Sequence, residues 1–183
     1  ASIVVGGTPG ERNSRASGKL QLVPFGSAWK IWRGDEDPPG KAGAWIEPEY
    51  DDSSWEEAEA PFGYGEAGIR TVLSDMRGNY TAVFARITFE VEEPESLQEL
   101  ILKVDFDDGF IAFLNGRWVA SAFLPQEQVP DRRTTAFESH EAGYPLTWAI
   151  DKKSLHSGIN VLSVFGANES IDSRDFLISC TLF

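Results

Sequence analysis

The chain has 183 residues, 42% hydrophobic and 12% aromatic, enough to close one hydrophobic core without a metal or disulfide staple. Its formal net charge of −13 is repelled by nucleic acid and by anionic membrane surfaces, so neither is expected as a partner. A single cysteine excludes an intramolecular disulfide, and no apolar run approaches the roughly 20 residues of a membrane-spanning helix.

Residues 1–18 begin Ala1-Ser2-Ile3-Val4-Val5, with no basic region ahead of the apolar patch, and then turn small and polar around Thr8-Pro9-Gly10. They read as a linker or the tail of a preceding domain within a longer polypeptide, and the folded module is expected over residues 19–183. Strand signals dominate from there. Residues 20–25 and 28–32 are short and apolar, and in the second run Trp29 and Ile31 share a face that Trp32 does not. Residues 52–57 offer Asp52 as a cap and an acidic first turn, which predicts one helical turn. Gly63-Tyr64-Gly65-Glu66-Ala67-Gly68 matches the glycine-rich dinucleotide pattern, but residues 56–62 before it do not read as a strand, so a loop is expected instead.

Residues 82–91 alternate, with Val83, Ala85, Ile87, Phe89 and Val91 on one face and Arg86, Thr88 and Glu90 opposite. Residues 100–106 repeat the pattern with Leu100, Leu102, Val104 and Phe106 inward. Asn115-Gly116, between apolar runs at 110–114 and 117–122, predicts a hairpin through a type I′ turn, because both central residues of that turn need positive φ. A helical turn near 150–155 and strands over 160–165 and 175–183 complete the series. Cys180 shares a face with Phe176, Ile178 and Leu182, which predicts a buried, inert thiol. Many short strands separated by turns predict an all-β sandwich or barrel.

Catalytic signals are sparse. His140 and His156 lack a Cys or His partner at metal-ligand spacing, and Ser157 beside His156 has no orienting acid, so no enzyme is expected. Arg33-Gly34-Asp35 leads into Glu36-Asp37-Pro38-Pro39 and reads as an acidic turn rather than an adhesion motif. In Asp105-Phe106-Asp107-Asp108-Gly109, Asp105 and Asp107 point to one side of a strand and Asp108 turns the chain. Three close carboxylates repel unless neutralised, so Asp105, Asp107 and Asp108 are candidate ligands for a structural calcium ion; the competing reading is a solvated acidic turn. Trp32, Tyr80 and Trp118 are expected to be exposed rings able to stack on sugar faces.

A family pattern joins these blocks. Pro24-Phe25-Gly26-Ser27-Ala28-Trp29-Lys30, then residues 44–55 from Ala44-Trp45-Ile46 to Ser53-Ser54-Trp55, then Ala60-Pro61-Phe62-Gly63-Tyr64-Gly65 resemble the opening of galactose-binding-domain-like jelly rolls. Asp107-Asp108-Gly109-Phe110-Ile111-Ala112-Phe113-Leu114-Asn115-Gly116 is the best match, followed by Gly158-Ile159-Asn160-Val161-Leu162 and Ser173-Arg174-Asp175. The pattern is similar to modules found behind lamin-tail-like domains in bacterial multidomain proteins, and to the sugar-binding domain of family 2 glycoside hydrolases. The resemblance implies an antiparallel jelly-roll β-sandwich and a carbohydrate-binding accessory module of a secreted or cell-surface protein, partnered by a glycan and by flanking domains of the same polypeptide. In that reading loops at one end hold the sugar, with Asn168 and Asp175 fixing hydroxyls and Trp32, Tyr80 or Trp118 stacking. The alternative is a structural or protein-interaction sandwich with no small ligand.

Overall fold

The computed structural model describes residues 20–183, so the linker expected over residues 1–18 lies outside the described residues. The strands in chain order are β1 (Ala28–Arg33), β2 (Glu56–Glu59), β3 (Phe62–Tyr64), β4 (Thr71–Val72), β5 (Ala82–Val91), β6 (Ile101–Asp107), β7 (Gly109–Leu114), β8 (Arg117–Ala122), β9 (Leu146–Ala149), β10 (Gly158–Ala167) and β11 (Phe176–Leu182). They form a six-stranded sheet in the order β2-β1-β5-β10-β7-β8 and a five-stranded sheet in the order β4-β3-β11-β6-β9. All pairings are antiparallel except β3 with β4. The molecule is the expected all-β jelly-roll sandwich.

Period-two alternation explains the layers. Val83, Ala85, Phe89 and Val91 of β5 face Leu102, Val104 and Phe106 of β6 and Phe176, Ile178, Cys180 and Leu182 of β11 across one buried cluster. Cys180 is 1% exposed within it, and burial pushes its thiol pKa well up, as an inert core cysteine requires. The hairpin turns as predicted, with Asn115 at φ 51° and Gly116 at φ 78°. Asp151 caps the short 3-10 turn Lys152–Ser154 by accepting from the Lys153 N–H, as expected near 150–155.

The outer face of the six-stranded sheet departs from expectation. Phe84, Ile111, Phe113 and Phe165 lie there, roofed by Trp45, Ile46, Trp55 and Leu124 in a second buried cluster. Arg86, on the face opposite Val83 and Ala85, is therefore 1% exposed. Its guanidinium donates to Asp52 Oδ2 (2.8 Å), to the carbonyls of Trp45 and Glu47, and to Ser163 Oγ (3.3 Å).

The same roof accounts for the missing helical turn at 52–57. Asp52 spends its carboxylate on Arg86, and Glu56 leaves to pair with Ile31 at the sheet edge. β2 is acidic and has low strand propensity, but Lys30 reaches Glu57 (3.0 Å) and Arg33 reaches Glu56 (2.9 Å) across the pair. Arg33 also binds Asp75, so its guanidinium belongs to the fold and not to an accessible tripeptide. Residues 20–25 form no strand beyond a single bridge from Val23 to Leu182. Gly63 and Tyr64, read as loop, join Phe62 in β3; the next element is the two-residue β4 rather than a helix, which removes the second half of the dinucleotide pattern.

Candidate functional site

On the five-stranded sheet the same alternation turns Lys103, Asp105 and Asp107 of β6 and Leu177, Ser179 and Thr181 of β11 away from the core. A groove of about 370 Å³ lies over this face, lined among others by Phe25, Lys103, Asp105, Pro145, Ser179 and Thr181. Phe25 is 57% exposed, and the Arg70 guanidinium carbon sits 5.3 Å from its ring centre. Pro24 and Gly26 on either side hold this ring in a loop rather than a strand.

At one end of the same face, Glu66, Asp107, Glu141 and Asp175 converge, one carboxylate oxygen from each lying within 4.8 Å of the others. Glu66 follows β3, Asp107 ends β6, Asp175 immediately precedes β11, and Glu141 comes from the segment before β9. Asp107 is 2% exposed, and its Oδ1 is buried without a hydrogen-bond partner. Burial first, then the charges of Asp108, Asp175, Glu141 and Glu66, push its pKa up to about 8. Oxygen-only, anionic donors at this spacing suit a hard cation.

The neighbouring acids have other work. Asp108 accepts the His140 N–H on Oδ1 (3.0 Å) and the Glu169 N–H on Oδ2 (2.9 Å), tying two loops together. Asp105 accepts the Gly143 N–H (2.8 Å). The His140 ring stacks on Phe106, with ring centres 4.2 Å apart. Of the expected metal set Asp105, Asp107 and Asp108, Asp107 alone enters the cluster, while the backbone N–H groups of folded loops engage the other two. Glu66 and Glu141 carry no local sequence signal, since each sits in a loop and meets Asp107 only in three dimensions.

The expected sugar contacts scatter. Tyr80 is 5% exposed, its hydroxyl donating to Asp75 Oδ1 (3.0 Å), so it is not an accessible ring. Trp32 and Trp118 are half-buried edges of the second cluster, and Trp32 donates its indole N–H to the Glu36 carbonyl (3.0 Å). Asn168 is buried; its amide donates to the Tyr64 hydroxyl (3.0 Å), and its Oδ1 has no partner. Asp175 is partly exposed, inside the carboxylate cluster. None of the five lines the groove.

Comparison with protein-family models and with curated proteins gives no match. Solved structures do match. The chain is similar to a β-glucuronidase of Bacteroides uniformis (15% identity, TM-score 0.54, covering 89% of this chain and 18% of that one). It is similar to a β-glucuronidase of an uncultured Clostridium species (16% identity, TM-score 0.54, 89% and 28%) and to one of Bifidobacterium dentium (18% identity, TM-score 0.51, 79% and 20%). The chain spans only 18% to 28% of the length of these three. At such identities the likeness shows the fold alone, a jelly-roll sandwich that matches a part of each of these larger enzymes.

Proposed function

We propose that the chain is a non-catalytic carbohydrate-binding accessory module of a larger secreted or cell-surface protein, with the groove over β6 and β11 as the sugar site and calcium as a structural cofactor. The observation that carries this reading is the groove itself. Its volume falls within the roughly 300–1,000 Å³ usual for small-ligand sites. It combines the exposed ring of Phe25 and the partly exposed ring of Phe183 with the amine of Lys103, the carboxylate of Asp105 and the largely buried hydroxyls of Ser179 and Thr181 on rigid strands. That is the chemistry a pyranose needs: an apolar surface for its C–H face and fixed polar groups for its hydroxyls. The partial coverage of the similar hydrolases supports an accessory role.

Retardation of the chain in polysaccharide-containing gels, followed by a glycan array, tests the reading. Phe25→Ala and Lys103→Ala should each weaken binding about tenfold, or about 1.4 kcal/mol. Uniform silence across neutral and acidic glycans overturns it. Such silence would favour the second reading, a structural or docking sandwich, for which the placement of Trp32 and Trp118 against the second cluster already speaks.

A further inference from the structure

We infer that Glu66, Asp107, Glu141 and Asp175 form a binding site for a divalent cation of the calcium class, which clips together the segments closing one end of the groove. This deepens the cofactor part of the proposed function by giving its ligands, and it stands or falls separately from glycan binding.

Two independent observations carry it. The four carboxylate oxygens already lie within 4.8 Å of one another, drawn from four separate places in the chain. Among the described residues no lysine or arginine forms an ion pair with any of the four. Beneath them Asp107, only 2% exposed, points into the cluster with Oδ1 lacking a partner. A buried acceptor without a donor is costly to maintain, and a cation is the ligand that satisfies several such acceptors at once. Asn168 supplies a second buried oxygen without a partner, on the residue whose amide holds Tyr64, two positions before Glu66.

Ligand type selects the ion. Four carboxylates, two or more of them bidentate, supply the six to eight oxygens calcium takes at roughly 2.3–2.6 Å, in flexible geometry. Magnesium demands a near-ideal octahedron and keeps its waters, which four converging side chains do not favour. Placement then gives the consequence. Glu66 precedes Ala67, Glu141 lies in the segment leading to Pro145, and Asp175 is two residues from Leu177; Ala67, Pro145 and Leu177 all line the groove. An ion at the cluster ties these walls to β6.

Calorimetric titration of the chelator-treated chain with calcium chloride, with no sugar present, is the test. Expected is a saturable one-site heat with a rise in melting temperature, and a weaker response to magnesium. Asp175→Asn and Glu141→Gln, at the accessible rim, should lose most of that heat and that rise while keeping the wild-type far-ultraviolet spectrum; Asp105→Asn, outside the cluster, should keep both. The inference is overturned if millimolar calcium gives wild-type protein neither heat nor a melting shift, or if both rim variants respond as wild type does. It is equally overturned if Asp105→Asn loses calcium as completely as the rim variants, for the ligands would then lie elsewhere.

Discussion

Arg86 shows what a single position can hide. Alternation along β5 correctly places it on the face opposite Val83 and Ala85, and on that evidence alone it belongs in water. What buries it is the distant segment containing Trp45, Glu47 and Asp52, whose carbonyls and carboxylate replace the lost hydration. Nothing local announces that roof. Removing one partner of a buried pair strands the other, so Arg86→Ala should destabilise the fold by about 3–5 kcal/mol in a urea titration. Arg86→Met, which keeps the volume but leaves the same acceptors without a donor, should recover only part of that loss. Asp107 is the converse case. The sequence marks it as one of three neighbouring acids, and only the folded loops separate the member that points into the cluster from the two that bind backbone amides.

Among the elements, the legible ones are those whose pattern and environment agree. β5, β6, β7, β8, β10 and β11 each alternate or run apolar, and the hairpin between β7 and β8 carries its turn residues in place. β2 and β9 escape because they lie at sheet edges, where an acidic or mixed strand is held by its neighbour more than by its own propensity. The hairpin does more than reverse the chain. Asn115 donates from Nδ2 to the Ser154 carbonyl (2.8 Å) and to Asn160 Oδ1 (2.8 Å), and accepts the Val161 N–H on Oδ1 (2.9 Å). Asn115→Asp should therefore cost about 1–3 kcal/mol by chemical unfolding despite retaining turn propensity, since a carboxylate cannot donate either bond. An Asn115→Asp variant as stable as wild type would reduce this network to ornament.

At the scale of the whole molecule, two buried clusters share one sheet, which makes the six-stranded layer the middle of a three-tier structure. Trp32 and Trp118, expected to meet sugar, pack against the outer cluster and Tyr80 lies in the cluster between the sheets, while the groove runs over β6 and β11. Fold class and the acidic character of one loop end were visible in the chain; the groove and the partners of Asp107 were not, because both arise from segments far apart in sequence.

Cys180 adds a practical consequence. The only sulfhydryl in 183 residues lies between the two sheets with its acidity suppressed, so an alkylating reagent reaches it only when the layers part. Its labelling rate in native buffer should track global opening, faster in Arg86→Ala and, where calcium is bound, slower than in the chelated chain. The molecule thus carries its own clock for how often the sandwich comes apart.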